Sequence, residues 1–360
     1  MRSGTANLPL HWGQAPAWLF TRMTKLAREI ISLMAVEFGP SEVLARLSDP
    51  YWFQSLGCVL GFDWHSSGVT TTVCGAIKEG MKGLEGELGL FLAGGKGRAS
   101  RRTPDEIRDY ADRFSINIDA EKLVYASRMS AKIDNTAVQD GYQLYHHVFL
   151  FDRSGSWAVI QQGMNENNRW ARRYHWLSSQ MNDFVCEPHA AVCSDSRGQL
   201  TLNMVAAEGG QSRNTTALLA CEKPEKLCRE IKRMQELTLP SSHAVLISDL
   251  KPDSLQRVLL KAYERKPDNF TQLLETEGVG PKTVRALAMI ADIVYGSPVC
   301  TRDPAKFSFA HGGKDGHPYP VNRRIYDRSI SVIKSAVERA KLGDREKVEA
   351  LRRLSRFYDF

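Results

Sequence analysis

The sequence predicts an α+β protein in two parts: an N-terminal mixed helix/sheet domain over residues 1–210 and an all-helical domain over 211–360. Three observations carry this reading. Around Tyr142 the apolar period changes from helical to alternating, in two aromatic and β-branched runs joined by Arg153-Ser154-Gly155-Ser156, a hairpin signature. Beyond a polar stretch at 207–216 (AEGGQSRNTT), the best linker in the chain, every apolar pattern is helical. The charge is also divided: residues 251–360 hold 21 Lys+Arg against 14 Asp+Glu, whereas residues 1–250 hold 27 of each.

In chain order, residues 16–38 place Leu19, Met23, Leu26, Ile30, Leu33 and Met34 on one helical face, and Gly39-Pro40 stops them. Ser41 is the expected cap of a short second helix through Leu47, and Asp49-Pro50 breaks again before an apolar stretch at 51–62. A threonine-rich helix or strand follows, then a buried strand at 88–93 ending in Gly94-Gly95-Lys96-Gly97. Thr103-Pro104-Asp105-Glu106 reads as a helix start with threonine at the cap. After the strand pair at 142–152 and 157–164, residues 189–192 and 199–205 suggest more strand. Helices are expected at roughly 223–237, 252–265, 268–277 and 281–295, and from Tyr326 to the end.

At 42% hydrophobic and 25% charged, the composition is that of a folded soluble protein. No apolar run approaches the roughly 20 residues needed to span a bilayer. The N-terminus lacks the apolar core of a signal peptide, so no membrane partner and a cytoplasmic location are expected. Seven cysteines without a C-x-x-C pair read as reduced thiols.

The sharpest motif is Gly278-Val279-Gly280-Pro281-Lys282-Thr283, set between two short helices, with Asp268 as the expected cap of the first. Two glycines allow a tight turn, and proline opens the second helix, whose free amides and positive end suit a phosphate. This stretch resembles the helix–hairpin–helix motif of DNA repair proteins. That resemblance implies a grip on the DNA backbone, without sequence readout, by Gly278, Gly280, Lys282, Thr283 and Arg285. Glycosylases of that class carry a lysine at the position of Lys282 and an aspartate about twenty residues on, where Asp303 stands. The resemblance thus implies a lysine nucleophile and a carboxylate stabilising an oxocarbenium charge. The sequence after Asp303 departs from that family, and phosphate contact is the other role open to Lys282.

A second group of polar residues surrounds the strand pair: Lys132, Asp134, Asp140, His146, His147 and Gln161. Alternation places Gln143, Tyr145, His147, Phe149 and Phe151 on one face and Tyr142, Leu144, His146, Val148 and Leu150 on the other. Acid, imidazole and lysine at a strand-pair end suit a metal-dependent phosphodiesterase, with Asp140 and His146 as ligands of magnesium or manganese. A hydrogen-bonded structural network accounts equally for each residue. Arg169-Trp170-Ala171-Arg172-Arg173-Tyr174-His175-Trp176 alternates guanidinium and aromatic groups. Arg169, Arg172, Arg173 and Trp176 therefore read as unpaired-base and phosphate contacts, or as a helix whose tryptophans are core. Asp63-Trp64-His65-Ser66-Ser67 offers an acid–histidine–serine trio, though such close neighbours seldom form a working triad.

The DWHSSG, QDGYQLYHH, IQQGMN, ARRYHW and FAHGGKDGHPYPV stretches, taken together, resemble an archaeal and bacterial family known as domain-of-unknown-function family 763. That resemblance implies no mechanism. The expected function is DNA processing, with phosphodiester cleavage by a metal-dependent nuclease first. Base excision through Lys282 and Asp303 and DNA binding without chemistry are the alternatives.

Overall fold

Gly39 and Asp49 divide the first sixty residues into three helices. In the computed structural model, which describes residues 15–62, 68–166, 170–194, 200–305, 335–339, 347–348 and 350–352, α1 spans Ala17–Phe38 and ends at Gly39, whose φ of +85° favours glycine. Helix α2 (Pro40–Ser48) starts on proline. Ser41 lies within it and donates to Asp152 instead of capping. Asp49 caps α3 (Pro50–Val59) by accepting from the Tyr51 and Trp52 amides. The threonine-rich run is helical, as α4 (Gly68–Met81), and a single turn, α5 (Glu85–Leu88), leads into strand β1 (Leu90–Lys96).

Next come the short α6 (Arg98–Arg101), then α7 (Thr103–Arg113) and α8 (Ala120–Thr136). The Thr103 hydroxyl does not cap α7 but donates to the Ser100 carbonyl. Gly94, at the end of β1, has φ of +92°, and a Cβ there would lie 2.3 Å from the His147 carbonyl oxygen. That crowding accounts for a glycine at this position.

The two-residue β2 (Val138–Gln139) precedes the expected hairpin, β3 (Gln143–Asp152) and β4 (Trp157–Asn165), whose turn is fastened by Asp152 accepting from the Ser154 and Ser156 amides. Strand β5 (Trp170–Leu177) carries the arginine–aromatic run, followed by β6 (Ala191–Cys193) and β7 (Leu202–Asn203). The main sheet has the order β1-β3-β4-β5-β6, antiparallel throughout, and β7 pairs with β2.

Both faces of this sheet are buried. Leu90, Leu92, Val148, Leu150, Ala158, Ile160 and Leu177 join the core formed with α1 to α4, to which Ala336, Val337 and Ala350 also contribute. Phe91, Ala93, Phe149, Phe151, Val159 and Trp176 face α7, α8 and the helices that follow. The alternation expected for β3 holds from His146 onward. A bulge between Leu144 and His146 breaks it, and Tyr145 receives a hydrogen bond from Gln162, the residue opposite His146.

Residues 207–216 are not a loose linker. A 3₁₀ turn there runs into α9 (Gly210–Ala220), and Ser212, Arg213 and Thr216 are buried, Arg213 donating to the Met204 and Ala206 carbonyls. The chain continues through α10 (Pro224–Glu236), α11 (Ser241–Ile247), α12 (Pro252–Arg265), α13 (Phe270–Glu275) and α14 (Pro281–Ile293). Asn269, not Asp268, caps α13. One hydrophobic core runs without a break from the sheet face to α14.

Candidate active site

Asp134 stands in the last turn of α8 with no exposed surface. A buried carboxylate persists only where donors replace water, and three do so here. Gln161 Nε2 and Trp176 Nε1 donate to Oδ2 at 2.7 and 2.9 Å, and His189 Nε2 lies 2.5 Å from Oδ1.

The carboxylate then orders what lies beyond it. Because a carboxylate only accepts, the amide nitrogen of Gln161 must face Asp134, and its oxygen must face His147 Nδ1 at 2.9 Å. That oxygen also only accepts, so the network assigns the proton of His147 to Nδ1. The lone pair of Nε2 then receives the Ser127 hydroxyl at 2.8 Å. Burial pushes the His147 pKa below the ordinary histidine value, against the opposing pull of Gln161 and Asp134, so the ring is neutral. A neutral imidazole presenting a bare nitrogen to a hydroxyl is the arrangement of a general base.

Ser127 and His147 line a cavity of about 350 Å³ with Tyr145, His146, Arg101 and Arg128. Both arginines are exposed, and neither has an ion-pair partner among the described residues. Lys96 adds a third cation over the Tyr145 ring. His146 is 2% exposed with neither ring nitrogen hydrogen-bonded, and burial, His147 and Lys96 push its pKa down to about 3. The cavity therefore combines a basic rim with a neutral, proton-accepting floor.

The other expected residues are placed differently. Asp140 is buried and accepts from Arg172, Tyr174 and the Tyr142 amide. Its side-chain partners lie on β5, whereas His146 lies on β3 opposite Lys96, so the expected metal pair does not assemble. Among the described residues no group of three or more His, Cys, Asp or Glu is placed to hold a metal ion.

Arg172, Arg173 and Trp176 are not on the surface. Arg172 bridges Asp140 and Asp303, Arg173 reaches Gln54 and Thr70 and stacks on Phe53, and Trp176 holds Asp134. With both faces of β5 covered, the alternating guanidinium and aromatic groups fill the interior. Arg169 and the 63–67 trio lie outside the described residues.

Lys132 does not join His147. It spans α8 to the Val279 carbonyl in the turn before α14, and burial lowers its pKa. Gln139 bonds the Pro281 carbonyl at 2.8 Å, and Tyr125 of α8 bonds Glu275 of α13. The turn is thus fixed to the same helix that carries Ser127 and Asp134. Gly278 has φ of +85°, as a tight turn requires, and Thr283 is buried.

Lys282 and Arg285 both meet Asp249, at 3.2 and 2.5 Å. Asp303 is bound to Arg172 and the Ala305 amide, so the expected lysine–aspartate pair is not formed. Nor does the positive excess lie at the turn. Residues 251–305 hold 8 basic and 7 acidic residues, and the rest of the excess falls in 306–360.

The sequence reading missed Ser127, His189, Arg101 and Arg128. A signal existed for Ser127: it precedes Asp134 by seven residues, about two helical turns, which puts both on one face of α8. His189 also lines a second cavity of about 600 Å³, with Glu187, Asn203, Arg302 and Asp303.

Fold and site together define a mixed helix–sheet protein in which a buried hydrogen-bonded chain of polar side chains reaches a cavity lined by basic residues. The chain belongs to the family described as protein of unknown function (DUF763), whose family model matches residues 4–321. No curated protein and no solved structure matches it.

Proposed function

We propose that this protein processes DNA by cleaving phosphodiester bonds at the Ser127–His147 cavity, with the backbone held by the turn before α14. The observation that carries the reading is the conjunction of a neutral His147 base with Arg101 and Arg128 at the mouth of one cavity. Guanidinium groups match phosphate oxygens in geometry and charge, and a positioned base removes the proton of the attacking oxygen. Helix α8 ties this chemistry to the turn through Lys132, so a backbone seated on one is held in register with the other.

The pair Asp140 and His146 does not suit magnesium or manganese, because Asp140 Oδ2 already accepts from Arg172 and Tyr174 and Oδ1 from the Tyr142 amide. No step is therefore routed through a metal. Binding without chemistry is the second reading, favoured by the complete internal satisfaction of Asp134 and Asp140.

The test uses end-labelled single-stranded, nicked and abasic DNA, with magnesium, manganese or chelator. Incision by the wild type, reduced at least about a hundredfold in His147→Gln, supports the proposal. Binding without a product on any substrate selects the second reading. Incision only at damaged bases, trapped by borohydride and lost in Lys282→Ala, would restore base excision.

A further inference from the structure

We propose that Ser127 is a covalent nucleophile: its hydroxyl attacks the phosphorus, and one DNA end becomes esterified to the protein. The inference deepens the proposed function and rests on it. Four buried groups define the line of action, running Asp134, Gln161, His147, Ser127 with separations of 2.7, 2.9 and 2.8 Å. Each link fixes the next, and the line ends on a hydroxyl at the wall of a cavity rimmed by Arg101 and Arg128. A serine whose proton faces an imidazole, itself oriented by a third group, is the general pattern of an activated hydroxyl. Gln161 supplies the orientation here, and Asp134 holds Gln161.

The step balances. As the bond from Ser127 Oγ to phosphorus forms, the bond from phosphorus to the leaving nucleoside oxygen breaks. The serine proton passes to His147 Nε2, and the leaving oxygen, on the far side of phosphorus, takes its proton from solvent. The imidazolium that forms in between is stabilised through Gln161 by the carboxylate of Asp134. Water completes the cycle from that far side: it attacks phosphorus and gives its proton to solvent, and the Ser127 oxygen leaves with the proton returned by His147 Nε2. Arg101 and Arg128 neutralise the non-bridging oxygens in both steps.

A fluorophosphonate probe tests this without DNA, because the same attack expels fluoride and leaves a stable phosphonyl serine. Intact-mass and peptide analysis of the wild type should show one adduct, on Ser127. Ser127→Ala should show none, and Ser130→Ala, which changes another buried serine of α8, should keep it. His147→Gln should slow labelling at least about a hundredfold. Ser127→Cys, checked for native thermal unfolding, should lose the phosphonyl adduct and gain one with iodoacetamide.

No adduct on folded wild-type protein, or labelling unchanged in Ser127→Ala or His147→Gln, would overturn the assignment. DNA incision retained by Ser127→Ala would also overturn it while leaving the nuclease reading intact. Labelling of Ser127 by a protein that cleaves no DNA would keep the nucleophile and overturn the nuclease.

Discussion

Replacing Asp134 separates the charge of the buried carboxylate from its hydrogen bonds. In Asp134→Asn, the amide oxygen can take the place of Oδ2 and still accept from Gln161 and Trp176. The new NH₂ then faces His189 Nε2, which can accept once its proton moves to Nδ1. Every contact survives, but charge-assisted bonds become neutral ones, a loss of about 2 kcal/mol in total.

Asp134→Leu instead leaves three buried donors without an acceptor. At about 1–3 kcal/mol for each orphaned group, the cost is about 3–9 kcal/mol, against a typical total stability of about 5–15 kcal/mol. Urea unfolding followed by tryptophan fluorescence measures both, since Trp176 reports directly on the site. The midpoint should fall modestly for Asn and severely for Leu, without a change in slope for Asn. Equal losses in the two variants, or a loss below about 1 kcal/mol for Leu, would refute the claim that Asp134 anchors this network.

Other consequences are as direct. His146 has a folded pKa of about 3, below its unfolded value near 6.5, so the unfolded chain binds the extra proton between these limits. Its contribution is therefore complete above pH 6.5 and is lost as pH falls toward 3; His146→Gln should flatten that acid limb in pH-dependent unfolding. Gly94→Ala places a Cβ 2.3 Å from the His147 carbonyl oxygen and 2.6 Å from Thr103 Oγ1 at a φ of +92°, and should cost at least about 3 kcal/mol by the same denaturation assay. Asp249→Asn removes the charge that Lys282 and Arg285 now share, and should tighten DNA binding several-fold at low salt in a polarisation titration. The gain should shrink as salt rises.

How far the sequence could be read depended on whether a signal was local. The β3–β4 hairpin was legible because alternation and a Ser-Gly turn act over neighbouring residues, and α14 because Pro281 opens it at helical spacing. Caps were less secure: Ser41, Thr103 and Asp268 all have capping chemistry, but Ser41 donates to Asp152, Thr103 donates to the Ser100 carbonyl, and Asn269 caps α13 in place of Asp268. The run at 170–176 shows why. Alternation gives the period of β5 but not what covers each face, and here both are covered, so Arg172 meets Asp140 and Asp303 on one side and Arg173 meets Gln54 of α3 on the other.

The same division holds for the site. By itself the sequence determined that the chain is mixed helix and sheet, and that Asp134, His147 and Gln161 belong near one strand-pair end, because strand register and helix period follow from short-range patterns. Only the tertiary structure decided which polar groups meet. Ser127 and His147 are joined through contacts between α8 and β3, Asp134 and Gln161 through contacts between α8 and β4, and Asp140, in the bend after β2, is held by Arg172 and Tyr174 of β5, while His146 lies on β3. Hydrogen bonds select partners by distance and direction in space, and a one-dimensional pattern carries neither until packing has fixed both faces of the sheet.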